Sequence, residues 1–241
     1  MIFLRSAVFN ILFFAYGAFF SIILLPGLVL SRRFIARGFA TWIDLLMATM
    51  KVVVGIEYEV RGKENLPLGA AVIASKHQSA WETGIYFSIC PDAVYVLKKE
   101  LQMIPIYGWL LKKSGMIPID RDGGGAALKQ MIRDCHHALG QDLQVVIFPE
   151  GTRAPVDGAN PYHPGIAAVY KQIDAPVVPV ALNSGVFWPR RQFLKKPGRI
   201  VIEFLDPMPQ GLDRKAFMAE LESRIETATQ RLVAEARQSP S

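Results

Sequence analysis

The sequence predicts an α/β fold: a mostly parallel sheet flanked by helices, preceded by a membrane-attached helical hairpin. Two observations carry this expectation. After residue 55, short apolar runs alternate with helical stretches, the order that builds a layered sheet with helices on its faces. Before it, residues 6–30 hold no charged side chain, and a helix of ~20 apolar residues is enough to cross the hydrocarbon of a bilayer.

The N-terminal element comes first. SAVFNILFFAYGAFFSIILLPGLVL is too long an apolar stretch for a cleaved leader, has only Arg5 before it, and is followed by no small-x-small cleavage site. Pro26-Gly27 should break this helix near its end. Arg32, Arg33 and Arg37 follow where the chain leaves the apolar stretch, which fits the positive-inside rule; the expectation is a membrane-associated chain with its site at the cytoplasmic face of the inner membrane, the hairpin dipping into one leaflet or its first helix spanning. FATWIDLLMATMKVVVG (39–55), with Asp44 and Lys51, reads as an amphipathic helix. Residues 1–55 are therefore expected to anchor the chain and 56–241 to form the α/β domain.

In that domain, strands are expected at 56–62, 68–75, 93–99, 115–120, 143–150, 175–183 and 198–207. Helices are expected from about residue 80, and at 126–140 (ending in Gly140), 164–173 and 213–238. The last three residues read as a frayed tail.

Composition narrows the function. The 241 residues are 51% hydrophobic, with formal net charge +6. The mean hydropathy is +0.24 and the isoelectric point about 9.4. A basic, apolar chain suits an anionic membrane surface or a phosphorylated substrate. Aromatic and basic residues are not interleaved as a nucleic-acid surface requires. Cys90 and Cys135 stand in no CxxC pattern, and His136 and His137 beside Cys135 point in different directions on a helix, so no metal site is expected.

Ligands in open α/β sheets sit beyond the carboxyl ends of the strands. His77, Lys98, Lys99, Arg121, Glu150, Thr152 and Arg153 all follow directly on apolar runs. In KHQSAWET (76–83), Glu82 can orient the His77 imidazole, provided that His77 precedes the helix and folds back over its first turn. Ser79-Ala80-Trp81-Glu82 is also a capping box, which explains Glu82 without catalysis. In FPEGTR (148–153), Gly151 permits a tight turn, while Thr152 and Arg153 offer donors to a phosphate. GMIPIDR (115–121) ends in Arg121; the glycines after it form either an anion nest or a flexible loop. Lys98 and Lys99 read equally as phosphate ligands or a solvated pair. No protein nucleophile stands out.

Together these stretches resemble the PlsC-type glycerolipid acyltransferase family. Its His-x-x-x-x-acid, Gly-x-Ile-x-x-x-Arg, Phe-Pro-Glu-Gly-Thr-Arg and Val-x-Pro-Val blocks fall in order at 77–82, 115–121, 148–153 and 177–180. The family's usual Asn-His is Lys76-His77 here, and its Asp is Glu82. The resemblance implies acyl transfer from a thioester, acyl-CoA or acyl carrier protein, to lysophosphatidic acid at a membrane, giving phosphatidic acid without metal or cofactor. It implies that the substrate's own hydroxyl attacks, with His77 as base and Glu82 steadying the imidazolium. Lys98, Arg121, Gly151, Thr152 and Arg153 would hold the phosphate, and Glu150 would hold Arg121 or a substrate hydroxyl. Acylation of another lysolipid, such as a lyso-aminolipid, and lipid binding without turnover use the same residues.

Overall fold

A computed structural model describes residues 1–238, so the tail at 239–241 lies outside the described residues. The chain opens with α1 (Ile2–Ile23), a 3-10 turn (Leu25–Val29) and α2 (Arg32–Val54). The break falls at Pro26, as expected of a residue that cannot donate to the helix ladder. The second helix begins seven residues before the expected start, so Arg32, Arg33 and Arg37 lie on α2 itself. Arg32 there pairs with Asp92 at 3.4 Å.

The α1 helix is long and apolar enough to cross a membrane, and only 17% of its most apolar window is buried. By contrast, α2 buries a stripe of Ile35, Phe39, Ile43, Leu46, Met50 and Val54. Gly84 lets α2 approach the helix beneath it, because a Cβ there would lie 2.6 Å from Ile43. One contiguous core runs from Phe9 to Ile225 across residue 55.

Next come β1 (Ile56–Arg61), β2 (Ala71–Ser75), α3 (Glu82–Ile89), β3 (Ala93–Lys98), α4 (Tyr107–Lys113) and β4 (Ile117–Ile119). They are followed by α5 (Gly124–Leu139), β5 (Gln144–Ile147), α6 (Gly165–Gln172) and β6 (Val177–Leu182). The chain closes with α7 (Ser184–Phe187), β7 (Gly198–Phe204) and α8 (Arg214–Gln238). The sheet order is β1-β7-β6-β2-β5-β3-β4. Strands β2 to β6 run parallel to one another. Strand β7 reverses against β6, with Val180 opposite Phe204, and β1 follows β7 in parallel. Every residue of β2 and β6 is buried, as in strands covered on both faces.

Three local outcomes differ from the sequence reading. Gly124 and Gly125 begin α5 rather than forming a loop. The first helix after β2 starts at Glu82, two residues later than expected. Helices α4 and α7 are too short to leave a periodic signal. Both cysteines are buried and free, and burial pushes each thiol up to about 12.

Candidate active site

The five co-directional strands β2 to β6 release their chains at one sheet edge, and the chemistry collects there. His77 leaves β2 two residues after Ser75, ahead of α3, so its ring can reach back. Its Nδ1 lies 2.9 Å from Glu82 Oε1. The same oxygen accepts the backbone N–H groups of Gln78 and Ser79, each at 2.5 Å. Ser79 Oγ accepts the Trp81 N–H at 3.1 Å. One carboxylate thus has two duties: Glu82 pins the turn at Gln78-Ser79 that leads into α3, and it holds the imidazole. An ionised carboxylate can only accept, so Nδ1 donates and Nε2 is the free nitrogen. Ser184, the first residue of α7, donates to Glu82 Oε2 at 2.7 Å. The His77 ring stacks on Phe148 with centroids 4.2 Å apart.

A cavity of about 520 Å³ opens in front of His77. Lys98, Arg121, Gly151 and Arg153 line it with the histidine; its depth is apolar, walled by Phe87, Tyr95, Leu111 and Met131. That volume is within the usual range for small-molecule sites, about 300–1,000 Å³. Burial lowers the Arg153 guanidinium below its ordinary value, with Glu82 opposing and Arg190 and Arg191 adding to the effect. Lys98 pairs with Glu100 at 3.3 Å, and Lys99 pairs with Asp120.

Glu150 and Thr152 depart from the expected substrate contacts. Gly151 takes a left-handed φ of 62°, turning the chain so that its neighbours face away from the cavity. Thr152 is exposed, and its carbonyl accepts the Asn160 amide. The Glu150 carboxylate is buried behind the site, where it accepts the His77 N–H at 3.3 Å and meets Lys76 Nζ at 3.1 Å. Burial raises the Glu150 carboxyl above its ordinary value, against the pull of Lys76.

Lys76 is the residue that sequence reasoning missed. It is 1% exposed, and its ammonium also meets both oxygens of Glu226 on α8, at 2.7 and 2.9 Å. Tyr162 donates to Glu226 at 2.9 Å. This cluster ties the loop bearing His77, the turn bearing Arg153 and the C-terminal helix into one frame. The available signal was the lysine itself, directly after a buried strand, where an unpaired charge would be too costly.

An imidazole held by a carboxylate, cations at the rim and an apolar depth suit transfer of an acyl group to a hydroxyl on an anionic lipid. A family model described as Acyltransferase matches residues 57–183. The 1-acyl-sn-glycerol-3-phosphate acyltransferase of Pseudomonas aeruginosa is 37% identical over 206 residues, covering 84% of this chain and 78% of that protein. The chain belongs to the acyltransferase family. The human 1-acyl-sn-glycerol-3-phosphate acyltransferase alpha is 30% identical over 172 residues, 70% of this acyltransferase and 61% of the human protein. The crystal structure of the Thermotoga maritima 1-acyl-sn-glycerophosphate (LPA) acyltransferase, PlsC, superposes with a TM-score of 0.78 at 18% identity, covering 97% of this chain and all of that one. That likeness shows the shared fold, including the N-terminal helices. The Lys76–Glu226 frame reaches beyond the region that the family model spans.

Proposed function

We propose that this chain is a 1-acyl-sn-glycerol-3-phosphate acyltransferase, moving a fatty acyl group from a thioester to the sn-2 hydroxyl of lysophosphatidic acid to give phosphatidic acid. The observation that carries this is the His77–Glu82 pair at the mouth of a cavity rimmed by Arg121 and Arg153. His77 Nε2 takes the proton of the acceptor hydroxyl as its oxygen attacks the thioester carbonyl, and Glu82 stabilises the imidazolium that forms. Collapse of the tetrahedral intermediate expels the thiolate, which recovers the proton from His77. A thioester carries its own activation, so the proposed reaction needs no metal or cofactor.

Arg121 and Arg153 hold the phosphate, with Lys98 and the Gly151 backbone beside them; a phosphate-free acceptor would leave the two guanidiniums without that partner. The donor is acyl-CoA or acyl carrier protein. Residues 1–55 attach the enzyme to the cytoplasmic face of the inner membrane, with the exposed apolar face of α1 in lipid and the domain 56–241 carrying the chemistry.

The test is purified protein with labelled acyl thioester and a panel of lysolipids, with His77→Ala as control. Product should form with lysophosphatidic acid and fall about 10²–10⁴-fold in the variant; turnover that survives His77→Ala would remove the proposed base. Arg121→Ala and Arg153→Ala should each lower kcat/KM for lysophosphatidic acid roughly 10–100-fold, the worth of a hydrogen bond to a charged group, mainly through KM. An equal loss with a phosphate-free acceptor would refute their role in headgroup binding.

A further inference from the structure

We propose that the segment from Lys99 to Trp109 is a second bilayer-inserting element, forming the lipid-side rim of the cavity. The inference rests on the membrane reading of α1 and on lysolipid as the acceptor. This segment is the 3-10 turn Lys99–Met103, a strained connection, and the start of α4. Met103 is 76% exposed and Trp109 52%, with Ile104 exposed between them. A cluster of this kind is costly to leave in water.

The other side of the same segment faces the cavity, which Leu101 and Tyr107 line. Helix α4 also packs on the turn Leu25–Val29 that joins α1 to α2, and Tyr107 meets Phe39 and Trp42 of α2 at 6.4 and 6.3 Å. Val29 and Leu30 at that turn are themselves exposed. The apolar surface is therefore continuous from the hairpin to the cavity rim.

Charge selects an anionic bilayer as the occupant. Lys98 pairs with Glu100 and Lys99 with Asp120, so the charge that this segment offers outward is that of Lys112 and Lys113. Lys112 and Lys113 are exposed in the last turn of α4, at the end of the apolar cluster, where lipid phosphates would lie. The backbone is held in shape to present this face. Ile106, a β-branched residue, takes a left-handed φ of 64°, a conformation kept only where the surroundings enforce it. Gly108 sits so close to Gln102 that a Cβ would lie 2.3 Å from its carbonyl oxygen, and Gln102 is tied to the Met116 carbonyl at 3.1 Å. With this rim in the lipid, a lysolipid passes from leaflet to His77 without taking its tail through water.

The experiment uses the full chain and two acceptors. One is long-chain lysophosphatidic acid in phosphatidylcholine vesicles containing phosphatidylglycerol; the other is short-chain lysophosphatidic acid dispersed as monomers. Met103→Glu/Ile104→Glu should lose vesicle activity by about tenfold or more, since one such buried side chain is worth about a decade in an equilibrium constant. Its activity on the monomeric acceptor should stay within about twofold, because neither residue lines the cavity. Unchanged vesicle activity overturns the proposal, and so does an equal loss on both acceptors. A wild-type protein inactive on both would instead refute the enzymatic reading beneath it. Brominated-lipid quenching of wild type against Trp109→Phe reads insertion without a destabilising variant. A Trp109 component that vesicles quench supports the proposal, and one that they leave unquenched overturns it.

Discussion

Glu82→Gln should leave the protein folded and nearly inactive. The amide oxygen can still accept the Gln78 and Ser79 N–H groups that the carboxylate accepts at 2.5 Å, so the turn that leads into α3 stays closed. Ser184 can rotate its hydroxyl to accept from the amide nitrogen in place of donating to Oε2. What disappears is the negative charge 2.9 Å from His77 Nδ1. Without it, the imidazolium that forms as the acceptor loses its proton has no compensating charge in a buried setting, and the ring is no longer fixed in one tautomer. Turnover should fall about 10²–10⁴-fold, while the thermal midpoint moves by only a few degrees, roughly 1 kcal/mol or less. Glu82→Ala should lose the same activity and also about 1–3 kcal/mol, because the buried Gln78 and Ser79 N–H groups are left without an acceptor. The two variants separate the two duties of one side chain. A Glu82→Gln enzyme within tenfold of wild type would leave the carboxylate with the structural duty alone.

Lys76→Met should be the most destabilising single change near the site. The methionine fits the space of the aliphatic stem but leaves Glu150 and Glu226 facing each other without the ammonium that meets them at 3.1 and 2.7 Å. Removing one partner of a buried ion cluster costs about 3–5 kcal/mol. For a chain of this size, that lowers the thermal midpoint by ~10 °C. The deficit should depend on pH with a definite sign. Burial already holds the folded-state Glu150 carboxyl above its ordinary value of 4.5, and Lys76 is the first of the groups that oppose this. A carboxyl with a raised folded-state pKa binds more protons folded than unfolded, so its contribution to stability falls as pH rises through that window. Deleting the lysine widens the window upward. The variant should therefore recover stability relative to wild type as pH is lowered from 7 towards 4.5. Thermal melts of both proteins across that range measure it; a constant difference would show that Glu150 does not carry the penalty. Lys76→Met/Glu226→Gln should be more stable than Lys76→Met, because one of the two stranded charges is gone.

Both predictions concern groups a few ångströms apart, yet only one was legible in the sequence. His77 and Glu82 are five positions apart at a helix start, and the two readings of Glu82, cap and orienting acid, could be stated from that spacing alone. They could not be ranked, because ranking them requires knowing that a single oxygen reaches the imidazole and both backbone N–H groups. Ser184 stands 102 residues from Glu82 and Glu226 stands 150 from Lys76, separations that carry no local periodicity. The expected role of Glu150 fared differently again. A strand end was correctly read, but the left-handed turn at Gly151 decides which side chain looks into the cavity and which looks behind it.

The sequence by itself determined the order of the strands and longer helices, the apolar N-terminal helix and the polar residues that follow the strands, because periodicity, breakers and turn chemistry act within a few residues of one another. The tertiary structure alone decided which of those polar groups meet. It also set the reversal of β7, the packing of α2 into the same core as the sheet, and the lysine that neutralises two acids from distant elements. Such pairings follow from how layers stack, since burying a charge is tolerable only where a partner arrives from elsewhere in the fold.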